Sequence, residues 1–269
     1  MSAMYIDPRW LIVILGSSVS FSVLSPVIHA RRLNFFAATL PHSSLLAVSL
    51  GYLLSFLLGY SPTLWAIPIS VALSFLLVVL IHRGVSEDSA TSAFVSFSVS
   101  ASVAAMYYIL TKFPSEVSLW SYILGDPLLV TWEDVAVTVV VTAVATLSTL
   151  LIYMKEVVIG LDRDFSQLLG INVNLHDYLV VFVLTLVSIS LLKVVGFVLE
   201  HVVLLLPATV SVQLAKSAKE FLGYSLLVST VSGLLGLFTS IYANVAPSAM
   251  YGFVMLGLYL AVLLRGEAR

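Results

Sequence analysis

The run WLIVILGSSVSFSVLSPVI, Trp10–Ile28, contains no charged residue. A helix needs roughly 20 mainly apolar residues to cross the hydrocarbon of a bilayer, so this run is long enough to span it. It has no positively charged leader and is too long for the apolar core of a cleaved signal, so it reads as a retained span. Further apolar runs follow at Ser43–Leu58, Leu64–Ile81, Ala90–Leu110, Val135–Met154, Tyr178–Leu192, Val194–Val212, Phe221–Tyr242 and Val245–Leu264. The chain is 60% hydrophobic and 10% charged, whereas a soluble domain carries about 25% charged residues. Continuous apolar runs exclude a barrel, whose strands alternate apolar and polar residues. They require helices, because lipid leaves each segment to satisfy its own backbone polar groups.

The predicted fold is therefore an all-α integral membrane protein with about nine transmembrane helices. Eight is the alternative, because only Lys193 separates the sixth and seventh runs and VVGF follows it. That stretch reads as either a tight hairpin or a broken helix pair. With the N-terminus outside, Arg31, Arg32, Arg83, Lys155, Arg163, Lys216, Lys219, Arg265 and Arg269 fall inside, and Arg9, Lys112 and Lys193 fall outside. This excess of inner basic residues predicts an external N-terminus and a cytoplasmic C-terminus.

Several functions are excluded or unsupported. A net charge of −2 gives no basic surface for nucleic acid. The absence of cysteine removes disulfides, thiolate ligands and cysteine nucleophiles. No Walker A pattern, G-x-S-x-G or H-E-x-x-H occurs, so neither nucleotide hydrolysis by a P-loop nor familiar hydrolase chemistry is supported. The chain reads as a non-enzyme.

Three features remain. In FVLEHVVLLLPATV, residues 197–210, Glu200 and His201 stand in an otherwise apolar run. Ionisable groups inside a span are costly and are functional candidates by default. A carboxylate and an imidazole are ordinary ligands for Zn²⁺ or Mn²⁺; the structural alternative is a Glu200–Lys193 or His201–backbone contact near the outer edge. His42, just after Pro41, is either an interhelical hydrogen-bond former or a ligand. It heads a stripe of small residues, Ser43, Ala47 and Gly51, that admits close helix packing. Gly233 and Gly236 offer a second such surface. Between the fifth and sixth runs, Asp164 is a candidate N-cap of a short helix closed by Gly170, with Phe165, Leu168 and Leu169 on one face. That helix either lies on the lipid surface or inserts into a partner's groove.

These residues fall within stretches that resemble the permease subunits of ABC importers for zinc and manganese, the ABC-3 family. RRLNFFAATLPHSSLLAVSLG is similar to the family's R-R-x-x-F-F-G-D-x-L-A-H-x-x-L-x-G segment, and SYILGDPLLVTWEDV to its S-Y-L-F-G-D stretch. LDRDFSQLLGINVNLHDYL resembles its F-D-x-x-F-A-x-x-x-G-I segment, and LKVVGFVLEHVVLLLPATVSVQLA its L-K-x-V-G…I-P-A-A-T-A segment. The resemblance implies one permease domain over residues 1–269, with an ATPase-docking segment at 155–177 centred on Asp164, Phe165, Leu168, Leu169 and Gly170. It also implies a homodimer in a prokaryotic plasma membrane, a cytoplasmic ABC ATPase that uses ATP, and an external metal-binding protein. A divalent metal would be cargo, with no permanent cofactor. His42 carries over as a pathway ligand. The chain departs from the pattern at Ala38, where the family has an acid, and at Glu200 and His201, where it has apolar or small residues. One reading is relocation, so that His42, Glu200 and His201 serve the metal; another is a different substrate. The alternatives to an ATP-driven importer are a secondary carrier that exchanges protons at Glu200 and His201, and a membrane scaffold.

Overall fold

A computed structural model describes residues 7–113 and 120–267. Arg269, one of the basic residues expected inside, lies outside them. The described residues form α1 (Pro8–Ala30), α2 (Asn34–Leu58), α3 (Pro62–His82), α4 (Glu87–Lys112), α5 (Trp120–Leu124), α6 (Trp132–Leu161), α7 (Arg163–Leu168), α8 (Val173–Val195), α9 (Phe197–Ser211), α10 (Ala218–Ala243) and α11 (Pro247–Glu267). Among them, eight helices are long and apolar enough to cross a membrane.

The ninth expected span is shorter than the run Val194–Val212, because Gly196 ends α8 and begins α9 at φ 84°. Its 15 residues extend only about 22 Å, less than the bilayer's hydrocarbon thickness. Contacts at both ends nonetheless show where it runs. Trp10 donates to Leu128 O (3.0 Å), Lys193 to Asp134 (2.7 Å) and Ser248 to Leu124 O (2.9 Å), which gathers the starts of α1, α6 and α11 and the end of α8 at one end of the bundle. At the opposite end, Arg31 pairs with Asp177 and Tyr153 donates to Ala218 O (2.8 Å), which gathers the end of α1 with the starts of α8 and α10. Helix α9 leaves the first end and, through residues 212–217, joins α10 at the second. The described helices thus pass nine times between the two ends, and VVGF is a tight turn.

That turn is held by a glycine crossing. Gly125 (φ 67°) and Gly196 lie backbone to backbone, and a Cβ on either would overlap the other segment's main chain. Gly196→Ala combines a left-handed backbone with that overlap. It is expected to destabilise the fold by about 3 kcal/mol or more, read as a lowered midpoint of thermal unfolding in detergent.

Elsewhere small and hydroxyl residues draw the helices together, because apolar lipid supplies little hydrophobic drive between them. Ser225 donates to Ser22 O (2.8 Å), Ser229 to Ser18 O (3.1 Å), and Tyr251 bonds Ser18 and Ser229. Both small-residue surfaces pack inside the single chain. Ser43 and Ala47 are buried, and a Cβ on Gly51 would stand 2.5 Å from Pro62 O at the start of α3. A Cβ on Gly236 would stand 2.6 Å from Tyr251 Cα.

Helix ends differ from the apolar runs, which locate hydrocarbon rather than termini. Helix α2 starts at Asn34 rather than Ser43, and Lys155–Leu161 continue α6.

Candidate functional site

The earlier start of α2 places His42 about two turns inside that helix, and His201 lies about one turn into α9. The two rings face each other edge to face, with centroids 5.3 Å apart. Phe197 closes the third side, 4.9 Å from His42 and 5.4 Å from His201. His201 Nδ1 lies 3.1 Å from Phe197 O, so that nitrogen donates to the carbonyl, and the ring lies beside the backbone of Ala38. An imidazole therefore stands at the position where the resemblance leads one to expect an acid. His42, His201 and Ala38 are all partly exposed, on the shared face of α2 and α9. A single ring nitrogen from each histidine could meet an ion there.

Glu200 does not share that face. Neighbouring helical residues diverge by about 100°, and Glu200 points into the protomer. It is fully buried, its Oε1 accepts from Ser188 on α8, and Ser188 lies 2.8 Å from Ser44 on α2. Its second oxygen has no hydrogen-bond partner among the described residues. Lys193 is engaged by Asp134 instead. Among the described residues no group of three or more His, Asp or Glu side chains is placed to hold a metal, so His42, Glu200 and His201 do not form a single triad within one protomer. Glu200→Gln, which keeps the acceptor for Ser188, is expected to leave transport within about two-fold of the parent, measured as metal uptake.

The short helix is capped differently from the sequence reading. Asp162 is the N-cap, its carboxylate accepting from Phe165 N at 2.9 Å, and Asp164 sits in the first turn. Asp162 wins because its backbone is extended, as an N-cap requires. Gly170 (φ 79°) ends the helix. Phe165, Leu168 and Leu169 are 53%, 85% and 57% exposed, an apolar surface with no cover within the protomer.

One cluster escapes sequence reasoning. Arg31 pairs with Glu156 and Asp177, which are also approached by His176, His82 and Arg163. The charges in the segments that the basic-residue pattern places inside were the only signal, and they do not reveal their partners.

Comparison with known proteins identifies the family. The model of the ABC 3 transport family matches residues 4–266. A probable metal transport system membrane protein of Thermotoga maritima is 26% identical over 87% of this chain and 80% of its own. The high-affinity zinc uptake system membrane protein ZnuB of Buchnera aphidicola subsp. Acyrthosiphon pisum is 28% identical over 90% of each chain. The manganese transport system membrane protein MntC of Listeria monocytogenes is 24% identical over 87% of this chain and 82% of its own. The fold is that of PsaBC from Streptococcus pneumoniae, solved with a Fab: TM-score 0.81, 22% identity, 94% of this chain and 89% of that one. With the family model covering nearly the whole chain and the same helical arrangement in a solved relative, this multi-pass membrane protein belongs to the ABC 3 transport family.

Proposed function

We propose that the chain is the permease subunit of an ATP-driven importer of divalent transition-metal ions, zinc or manganese, in a prokaryotic plasma membrane. The observation that carries the reading is the His42–His201 pair, two imidazoles with centroids 5.3 Å apart on a partly exposed face inside a membrane bundle. Imidazole nitrogen suits borderline divalent ions and is a poor ligand for Mg²⁺ or Ca²⁺. Two histidines give a weak site, which suits an ion that must leave as readily as it enters. A second copy facing this surface would bring a second pair, so a homodimer completes the ligand set.

The apolar face of α7 is the docking surface for a cytoplasmic ABC ATPase, which supplies the hydrolysis that this chain has no motif to perform. The Arg31 end of the bundle carries Arg32, Arg83, Lys216 and Arg265 as well as α7, which favours its assignment to the cytoplasm. The Trp10 end would then receive metal from an external binding protein. The secondary-carrier reading needs Glu200 and His201 to act on one site, and Glu200 faces Ser188 instead.

The test is ATP hydrolysis by the permease–ATPase assembly in liposomes, with the external protein loaded with Zn²⁺, Mn²⁺, Fe²⁺ or Co²⁺. Stimulation by one or two of these ions is expected. Hydrolysis indifferent to all four would contradict the reading.

A further inference from the structure

At the Arg31 end, a cluster of ionisable groups draws on four helices and the α1–α2 turn. Glu156 on α6 is fully buried, accepts from Arg31 Nη1, and has His176 Nδ1 2.5 Å from its other oxygen. Asp177 on α8 accepts from Arg31 Nη2 and from Arg163 at 2.7 and 3.3 Å, and its Oδ2 lies 3.2 Å from His82 Nε2. Arg163 is the first residue of α7, His82 the last of α3, and Arg31 stands in the turn that leads into α2.

We propose that Asp177 is a positioning residue for transport: it transmits displacement of α7 to the helix ends and, through Arg31, to α2 and His42. The proposal rests on the docking reading of α7. Two features support transmission over simple stabilisation. The inner part of the network cannot easily come apart. The Arg31 side chain is 2% exposed and that of Glu156 0%, and separating a buried pair strands an uncompensated charge. Gly160 reinforces it, because α6 there touches the backbone of Ala30 so closely that a Cβ would overlap it. The outer arm is different. The Arg163 side chain is 51% exposed, so its two bonds to Asp177 can follow a shift of α7 without stranding a buried charge. The network is thus a rigid anchor, formed by Arg31, Glu156 and Asp177, with one adjustable link to α7. A partner that moves α7 pulls on Asp177, and the anchor carries the pull to the first turns of α2 and α8.

The experiment uses the full assembly with its ATPase in nanodiscs and liposomes. It reads ATPase retention, ATP turnover, and metal moved per ATP. Asp177→Asn and Arg163→Gln are each expected to keep the ATPase bound and hydrolysing, while metal moved per ATP falls by about five-fold or more. Arg163→Lys should restore at least about half the parental ratio, since it returns the charge. Arg163→Gln carries the test if Asp177→Asn fails to fold, because its side chain is half exposed and its thermal midpoint should not move. A parental metal-per-ATP ratio in Arg163→Gln would overturn the proposal. So would loss of the ATPase from that variant, which would make Arg163 a docking contact. Failure of the docking reading is separately visible: Leu168→Asp/Leu169→Asp would then retain its ATPase.

Discussion

His42→Ala and His201→Ala are each expected to lower metal uptake by at least about ten-fold, the scale set by disturbing even the groups that support a metal ligand. The reason is the smallness of the site. With two imidazoles at this site in the chain and Glu200 turned away, no neighbouring carboxylate can take over when one ring is removed. The loss should leave folding intact, since both side chains are partly exposed and alanine opens space on a wet face rather than a closed cavity in the core. Uptake of radiolabelled or fluorescently detected metal, normalised to folded protein, reads the effect. A second arm sharpens it. Ala38→Asp places a carboxylate beside the ring of His201, which already lies next to that backbone. An oxygen ligand added to two nitrogens should shift the preference from zinc toward the harder ion manganese. Unchanged uptake in both alanine variants would remove His42 and His201 from the pathway.

The second large effect concerns α7. Leu168→Asp/Leu169→Asp should abolish co-purification of the ATPase while the permease keeps its elution profile and thermal midpoint. Both side chains are more than half exposed, so charges there cost the isolated permease little. Buried in a partner's groove, each aspartate would bring an unpaired charge, and such charges typically cost several kcal/mol at an interface. Asp162→Ala is a milder companion. It removes the N-cap of α7 and should weaken assembly by about 1 kcal/mol, seen as faster loss of the ATPase on dilution.

How much of this was legible in the sequence follows from the range of each interaction. The spans were legible because lipid imposes a local requirement: each crossing needs its own apolar run. Their ends were not, and the misplaced start of α2 put His42 at a helix edge, far in depth from His201. The turn at Gly196 depends on Gly125, which the sequence reading could not pair with it. The capping of α7 was legible to within two residues, since cap preferences do not separate Asp162 from Asp164. The facing of His42 and His201 was partly legible from residue type and the resemblance. The orientation of Glu200 was not, because it is set by Ser188 across the α8–α9 turn. The ion network was the least legible: Arg31 meets Glu156 across 125 positions and Asp177 across 146. Charges near span ends read as solvated positive-inside markers until their partners are known.

Uptake into proteoliposomes that contain the permease, its ATPase and the external binding protein tests the central claim most directly. Zn²⁺ or Mn²⁺ should accumulate only when ATP reaches the ATPase, should ignore an imposed proton gradient, and should vanish in His42→Ala/His201→Ala. Accumulation that proceeds without ATP and follows the proton gradient, or that survives loss of both histidines, would contradict it.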